Sequence, residues 1–84
     1  MEEDLKESLA TLKKGEAAVI QQIDDKVEGT QRRRLLDLGI VSGAEIRYLY
    51  DSPIGSTKAF EVYGTVVALR RDQYNNIYIR QKNK

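Results

Sequence analysis

The sequence predicts a mainly β fold: a small antiparallel β-barrel of about five strands, with an N-terminal helix and a short helix inserted after the first strand. Three observations lead there. From residue 16 onward, short apolar runs alternate residue by residue, the period of a strand with one buried face. Gly, Pro, Asn and Asp break those runs at close intervals, which suits hairpins and does not suit a helical bundle. The 84 residues hold one core and leave no room for a second, so residues 1–84 are read as a single domain.

At the N-terminus, Leu5, Leu9 and Leu12 stand at helical spacing, which predicts an amphipathic helix over residues 3–12. Glu3, Asp4 and Glu7 suit its positive end, Lys13 and Lys14 its negative end, and Gly15 stops it. A first strand follows over residues 16–23, with Ala18 and Ile20 on one face. Ile23 breaks their parity, so a bulge is expected near Gln21 and Gln22. Residues 24–29 form a polar loop, and Thr30 is the expected N-cap of the next helix.

The stretch from Arg34 to Gly43 organises the chain. Leu35 and Leu38 fall together at helical spacing, with Leu36 and Ile40 offset beside them. Gly39 stands where a helix takes a left-handed residue, because without a Cβ it reaches positive φ at no steric cost. Ile40 and Leu35 would then form the apolar contact of a Schellman ending. Gly43 is a turn residue, and residues 44–50 run extended with Ile46, Tyr48 and Tyr50 on one face and Leu49 on the other. That parity predicts partly buried rings for Tyr48 and Tyr50, their hydroxyls at the rim.

Residues 51–56 read as a turn around Pro53 and Gly55. Two alternating runs follow, with Phe60 and Val62 and then Val67 and Leu69 as core residues; Gly64 between them marks a bulge or a tight bend. Residues 71–76 are a polar connector with room for one turn of helix. Ile77 and Ile79 face inward from the closing strand, Tyr78 and Arg80 outward, and residues 81–84 are a tail.

Composition excludes several classes of function. There is no cysteine and no histidine, which removes disulfides, thiolate and imidazole metal sites, a cysteine nucleophile and an imidazole base. Ser8, Ser42, Ser52 and Ser56 therefore have no histidine to activate them, and no glycine-rich phosphate loop appears. A non-enzyme without cofactor or metal site is expected. Asp24, Asp25 and Glu28 are the densest carboxylates outside the N-terminal segment, and a solvated loop accounts for them. Net charge is +1, no apolar run approaches a membrane span, and the acidic N-terminus is unlike a signal peptide. A soluble cytoplasmic protein with no direct membrane insertion is expected.

The order of these motifs resembles the FeoA family, the small ferrous iron transport protein A. The likeness runs through Leu12-Lys13-Lys14-Gly15-Glu16, then Arg34-Leu35-Leu36-Asp37-Leu38-Gly39-Ile40 with Ser42-Gly43. It continues through Ser52-Pro53-Ile54-Gly55, Phe60-Glu61-Val62-Tyr63-Gly64 and Val67-Ala68-Leu69-Arg70-Arg71. The resemblance implies an SH3-like β-barrel and a cytoplasmic accessory role in ferrous iron uptake. It implies as partner the cytoplasmic GTP-binding domain of a FeoB-type membrane transporter, with homo-oligomers left open. A related domain forms the C-terminal part of DtxR-type metal-dependent repressors; no helix-turn-helix segment precedes the barrel here, which favours the free-standing form.

Within that frame the candidate partner-binding residues are Arg32, Arg33, Arg34, Tyr48, Tyr50, Pro53 and Ile54. The three arginines point about 100° apart on a helix, so they do not form one patch. They are read as a solvated face, as a contact for an acidic surface, or as the source of an arginine finger in trans. Tyr63 and Tyr78 point outward, where rings serve sheet pairing or recognition. The competing reading is a small barrel that binds nucleic acid through Arg70, Arg71, Arg80, Lys82 and Lys84 beside Tyr78. Near-neutral charge opposes it, and no stable nucleic-acid complex is expected.

Overall fold

Alternation, broken at a few irregular positions, decides which side of the strands faces inward around one core. A computed structural model describes residues 7–82. It contains β1 (Glu7–Ser8), a 3-10 turn (Leu9–Thr11), β2 (Ala17–Ile23), α1 (Gly29–Asp37) and β3 (Glu45–Asp51). These are followed by β4 (Thr57–Val62), β5 (Thr65–Arg70), α2 (Arg71–Tyr74) and β6 (Ile77–Gln81). All pairings are antiparallel, in the order β1-β6-β2-β3-β4-β5. Ala18, Ile20, Ile46, Phe60, Val62, Leu69, Ile77 and Ile79 fill the interior.

The expected five-stranded barrel is thus a sheet of six strands, and it does not close, because β1 and β5 remain its two edges. Helix α1 lies along the open side. Its C-terminal end touches Val62 and Tyr63 just before β5. Gln31 and Leu35 share a cavity of about 230 Å³ with Gln73 and Asn76, just beyond the other end of β5.

The amphipathic helix expected over residues 3–12 is absent from its described part. Glu7 and Ser8 pair with Ile79 and Tyr78 as a sixth strand. Ser8 then accepts the Ala10 N–H on its side-chain oxygen (3.0 Å) and the Thr11 hydroxyl on its carbonyl (2.9 Å), which ends the strand in a 3-10 turn. Leu9 and Leu12 are both buried, so the i, i+3 spacing was a true core signal. One tight turn serves that spacing as well as a helix does. Residues 3–6 of the expected helix lie outside the described residues.

Around α1 the Schellman ending is present. The Ile40 N–H donates to the Leu35 carbonyl (3.1 Å) and the Gly39 N–H to the Leu36 carbonyl (3.0 Å), with Gly39 at φ 98°. Leu35 and Ile40 are buried, each contributing about 1.5–3 kcal/mol by leaving water. Leu38 does not join them and is 38% exposed, because α1 is a short one-sided helix whose single inward stripe is taken by Leu35. Nor is Thr30 the N-cap. Glu28 holds that position without a side-chain bond, and the helix starts at Gly29, of positive φ, two residues earlier than expected.

Two register shifts re-aim side chains. The one between Ile20 and Gln22 restores Ile23 to the core, as the sequence led us to expect. The other, between Tyr48 and Tyr50, was not foreseen: it absorbs Leu49, so Tyr48 is buried and Tyr50 is exposed instead of sharing its side. Tyr48 packs on Phe60 (centroids 5.5 Å apart), and Phe60 on Tyr74 (6.0 Å). The Lys58 ammonium sits 4.7 Å from the Tyr48 ring centre and 4.8 Å from that of Tyr74. The Tyr48 hydroxyl donates to Asp51 Oδ1, and this bond, followed by burial, pushes the hydroxyl pKa from 10.0 up to about 12.

Two outcomes follow for stability. A Cβ on Gly39 would come within 3.1 Å of Tyr63 Cδ2 and 3.2 Å of Val62 Cγ1, at a backbone angle that L-residues avoid. Gly39→Ala is expected to lower unfolding free energy by about 1–3 kcal/mol in urea titrations, and Gly43→Ala, strained but unobstructed, by about 1 kcal/mol. Because the Tyr48 pKa is higher folded than unfolded, its contribution is complete below pH 10.0 and is lost as pH rises toward about 12. The urea midpoint of the wild type should fall over that window, and Tyr48→Phe should start lower and fall less.

Candidate interaction surface

The predicted site residues fall into two groups on separate elements. On α1, Arg32 is half-buried and turned back onto its own loop, where Nη1 donates to the Val27 carbonyl (2.9 Å) and the Asp24 carbonyl (3.3 Å). It ties residues 24–27 to the helix. Arg33 and Arg34 are exposed. On the β3–β4 hairpin, Tyr50 is 52% exposed and Ile54 75% exposed, with Pro53 exposed between the strands. Bonds from Ser52 N–H to the Thr57 carbonyl (2.9 Å) and from Ile54 N–H to Ser52 Oγ (3.2 Å) hold this turn. Tyr48 belongs to the core and leaves the surface group.

Sequence reasoning missed part of the exposed apolar surface. Leu36 and Leu38 on α1 and Tyr63 in the β4–β5 turn face solvent. Tyr63 was expected to point outward, but not beside α1; its ring lies over Gly39. The missed signal is in the run Leu35-Leu36-Asp37-Leu38: three leucines within four residues span more of a helix than one buried stripe can hold.

The acidic loop is occupied with its own structure. Asp24 Oδ1 accepts the Lys26 N–H (2.8 Å), and Oδ2 accepts the Tyr78 hydroxyl (2.5 Å). This second bond raises the Tyr78 pKa above its usual value and leaves the ring half-buried. Among the described residues, no three carboxylates converge as metal ligands. The basic residues of the nucleic-acid reading are dispersed. Arg70 pairs with Asp72 (3.4 Å) and Lys82 with Glu45 (3.0 Å), while Arg80 and Arg71 line different hollows. Lys84 lies outside the described residues.

The FeoA domain model matches residues 7–81. The solution structure of a FeoA protein from Chlorobium tepidum is 31% identical with a TM-score of 0.79, covering 89% of this chain and 70% of that one. The zinc complex of Stenotrophomonas maltophilia FeoA, presented as a prokaryotic SH3 domain protein and a candidate ferrous iron transport activating factor, is 27% identical. Its TM-score is 0.74, with 88% of this chain and 89% of that one covered. A manganese-dependent transcriptional repressor shares the fold alone, at 15% identity and a TM-score of 0.81 over 98% of this chain and 45% of its own. No protein with a curated description matches. With an SH3-like fold and a family match that spans nearly every described residue, the chain belongs to the FeoA family.

Proposed function

We propose that this protein is a cytoplasmic accessory of ferrous iron uptake that works by binding the GTP-binding domain of a FeoB-type membrane transporter. Family membership supports the link to ferrous iron transport. The observation that carries a contact mechanism is the number of large apolar side chains left in water on so small a domain. Leu36, Leu38, Tyr50, Ile54, Tyr63 and Val66 are all exposed. Each of them costs solubility, and such side chains grouped near polar residues mark protein contact surfaces. No helix among the described residues is long and apolar enough to cross a membrane, which fits a partner that stands outside the bilayer.

The three arginines take different parts in this reading. Arg33 and Arg34 are exposed, with no ion pair to another described residue, and would meet carboxylates on the partner, whereas Arg32 is committed to backbone carbonyls. A finger into the nucleotide site needs an insertable loop, and all three sit within α1.

In a pull-down at physiological salt, the immobilised transporter domain should retain the folded protein, and failure to retain it would end this reading. Arg33→Ala and Arg34→Ala should each weaken binding by about 2–10-fold without loss of stability. Arg32→Ala should instead lower unfolding free energy by about 1 kcal/mol through its lost carbonyl bonds and leave the affinity of the folded protein unchanged. An eight-nucleotide oligouridine that binds at low salt and releases steeply as salt rises would favour the nucleic-acid reading.

A further inference from the structure

We infer that β5 is the edge by which this protein pairs with a second copy of itself, the two β5 strands lying antiparallel about a two-fold axis. The hairpin fixes which groups β5 offers. Tyr63 and Gly64 take φ 52° and 78°, the paired left-handed angles of a two-residue turn, and Val62 and Thr65 close it. In such a hairpin the closing pair exchanges both of its bonds, so bonding to β4 falls on Thr65, Val67 and Leu69. Val66 and Ala68, between them, turn their N–H and C=O groups away from the sheet. No turn, loop or helix group bonds to the main chain of either residue. Arg70 stands next in the row, but its N–H already donates to Gln73 Oε1 (2.8 Å).

The edge is open where these groups lie. Ala59 and Ala68 are directly opposite each other and share the outer side of the sheet. Ala59 has a strand on each side and is 4% exposed. Ala68, with β4 alone beside it, is exposed, and Val66 is 55% exposed. Helix α1 meets the chain before β5, at Val62 and Tyr63, and shares a cavity with Gln73 and Asn76 after it.

The composition of β5 selects the occupant. Strand edges avoid their own kind by being short, by carrying lysine or proline, or by bulging. The other edge, β1, has two residues, Glu7 among them, and ends in a 3-10 turn. β5 has six, pairs with β4 without a shift, and belongs to a run, residues 63–69, that carries no charge. A foreign strand would find the same bonds there but no charge to choose its sequence. A second copy fits without conflict. With the axis at Val67, Val66 stands opposite the partner's Ala68 and Ala68 opposite the partner's Val66, and every outward group of both residues is bonded. Arg70 then meets the partner's Gly64. The two Arg70 residues lie about 20 Å apart along the strands, well beyond the screening length of about 8 Å in physiological salt. An axis at Ala68 would instead set Val66 against the partner's Arg70, whose N–H is taken.

The test is amide hydrogen exchange of the full chain by NMR across a concentration series, with sedimentation velocity on the same samples. The Val66 and Ala68 amides should exchange freely in dilute protein and slow as dimer forms, while those of Thr65, Val67 and Leu69 stay protected throughout. Val66→Pro removes an N–H that β4 does not use. It should weaken the dimer by about tenfold or more and leave the urea midpoint of dilute protein unchanged. Should that variant misfold, Ala68→Lys on the solvent side makes the same test and should weaken the dimer likewise. A protein that stays monomeric at every concentration its solubility allows overturns the proposal. So does a dimer that Ala68→Lys leaves intact, and so do Val66 and Ala68 amides already protected in the monomer, which would show the edge to be covered by its own chain. Slowed exchange at these two amides only after the transporter's GTP-binding domain is added would assign the edge to a strand of that partner, and overturns it too.

Discussion

The fold depends on the packing of Leu35 and Ile40 across the end of α1. An open sheet with two unpaired edges exposes its core along one side unless something apolar stands there. Here that element is a nine-residue helix with one buried leucine, too short to be stable by itself. The Schellman bonds at Gly39 fix its end, and the contact of Gly39 with Val62 and Tyr63 fixes where that end rests. Arg32 secures the other end by holding the loop that precedes the helix. Helix and hairpin therefore support each other.

Backbone irregularities decide which residues reach the surface. A single residue absorbed at Leu49 separates Tyr48 from Tyr50: one ring joins Phe60 and Tyr74 under the Lys58 ammonium, the other reaches solvent. A second irregularity, the left-handed turn at Tyr63, lifts a ring beside the helix end. Strand geometry and surface chemistry are linked here at the level of single residues, because side-chain direction in a strand reverses with each step.

The same fold carries different tasks among its relatives, including a manganese-dependent repressor that shares the architecture at low identity. Function accordingly has to be read from the surface and not from the sheet. This surface carries no imidazole or thiol, its Asp24 carboxylate is engaged in its own loop, and several apolar side chains meet water.

By itself, the sequence determined the β class, the helix stop at Gly39, the bulge beside Gln22 and most of the core, from Phe60 and Val62 to Ile77 and Ile79. Each is a local matter: periodicity and glycine placement act over a few residues, within reach of inspection. The tertiary structure alone decided that Leu9 and Leu12 anchor a 3-10 turn, that Arg32 turns inward and that Tyr50 turns outward. It also decided that Gly39, at the end of α1, lies under the Tyr63 ring. Those outcomes depend on which distant backbone lies opposite, and on where a strand absorbs an extra residue to keep its register, and no short window of sequence carries that information.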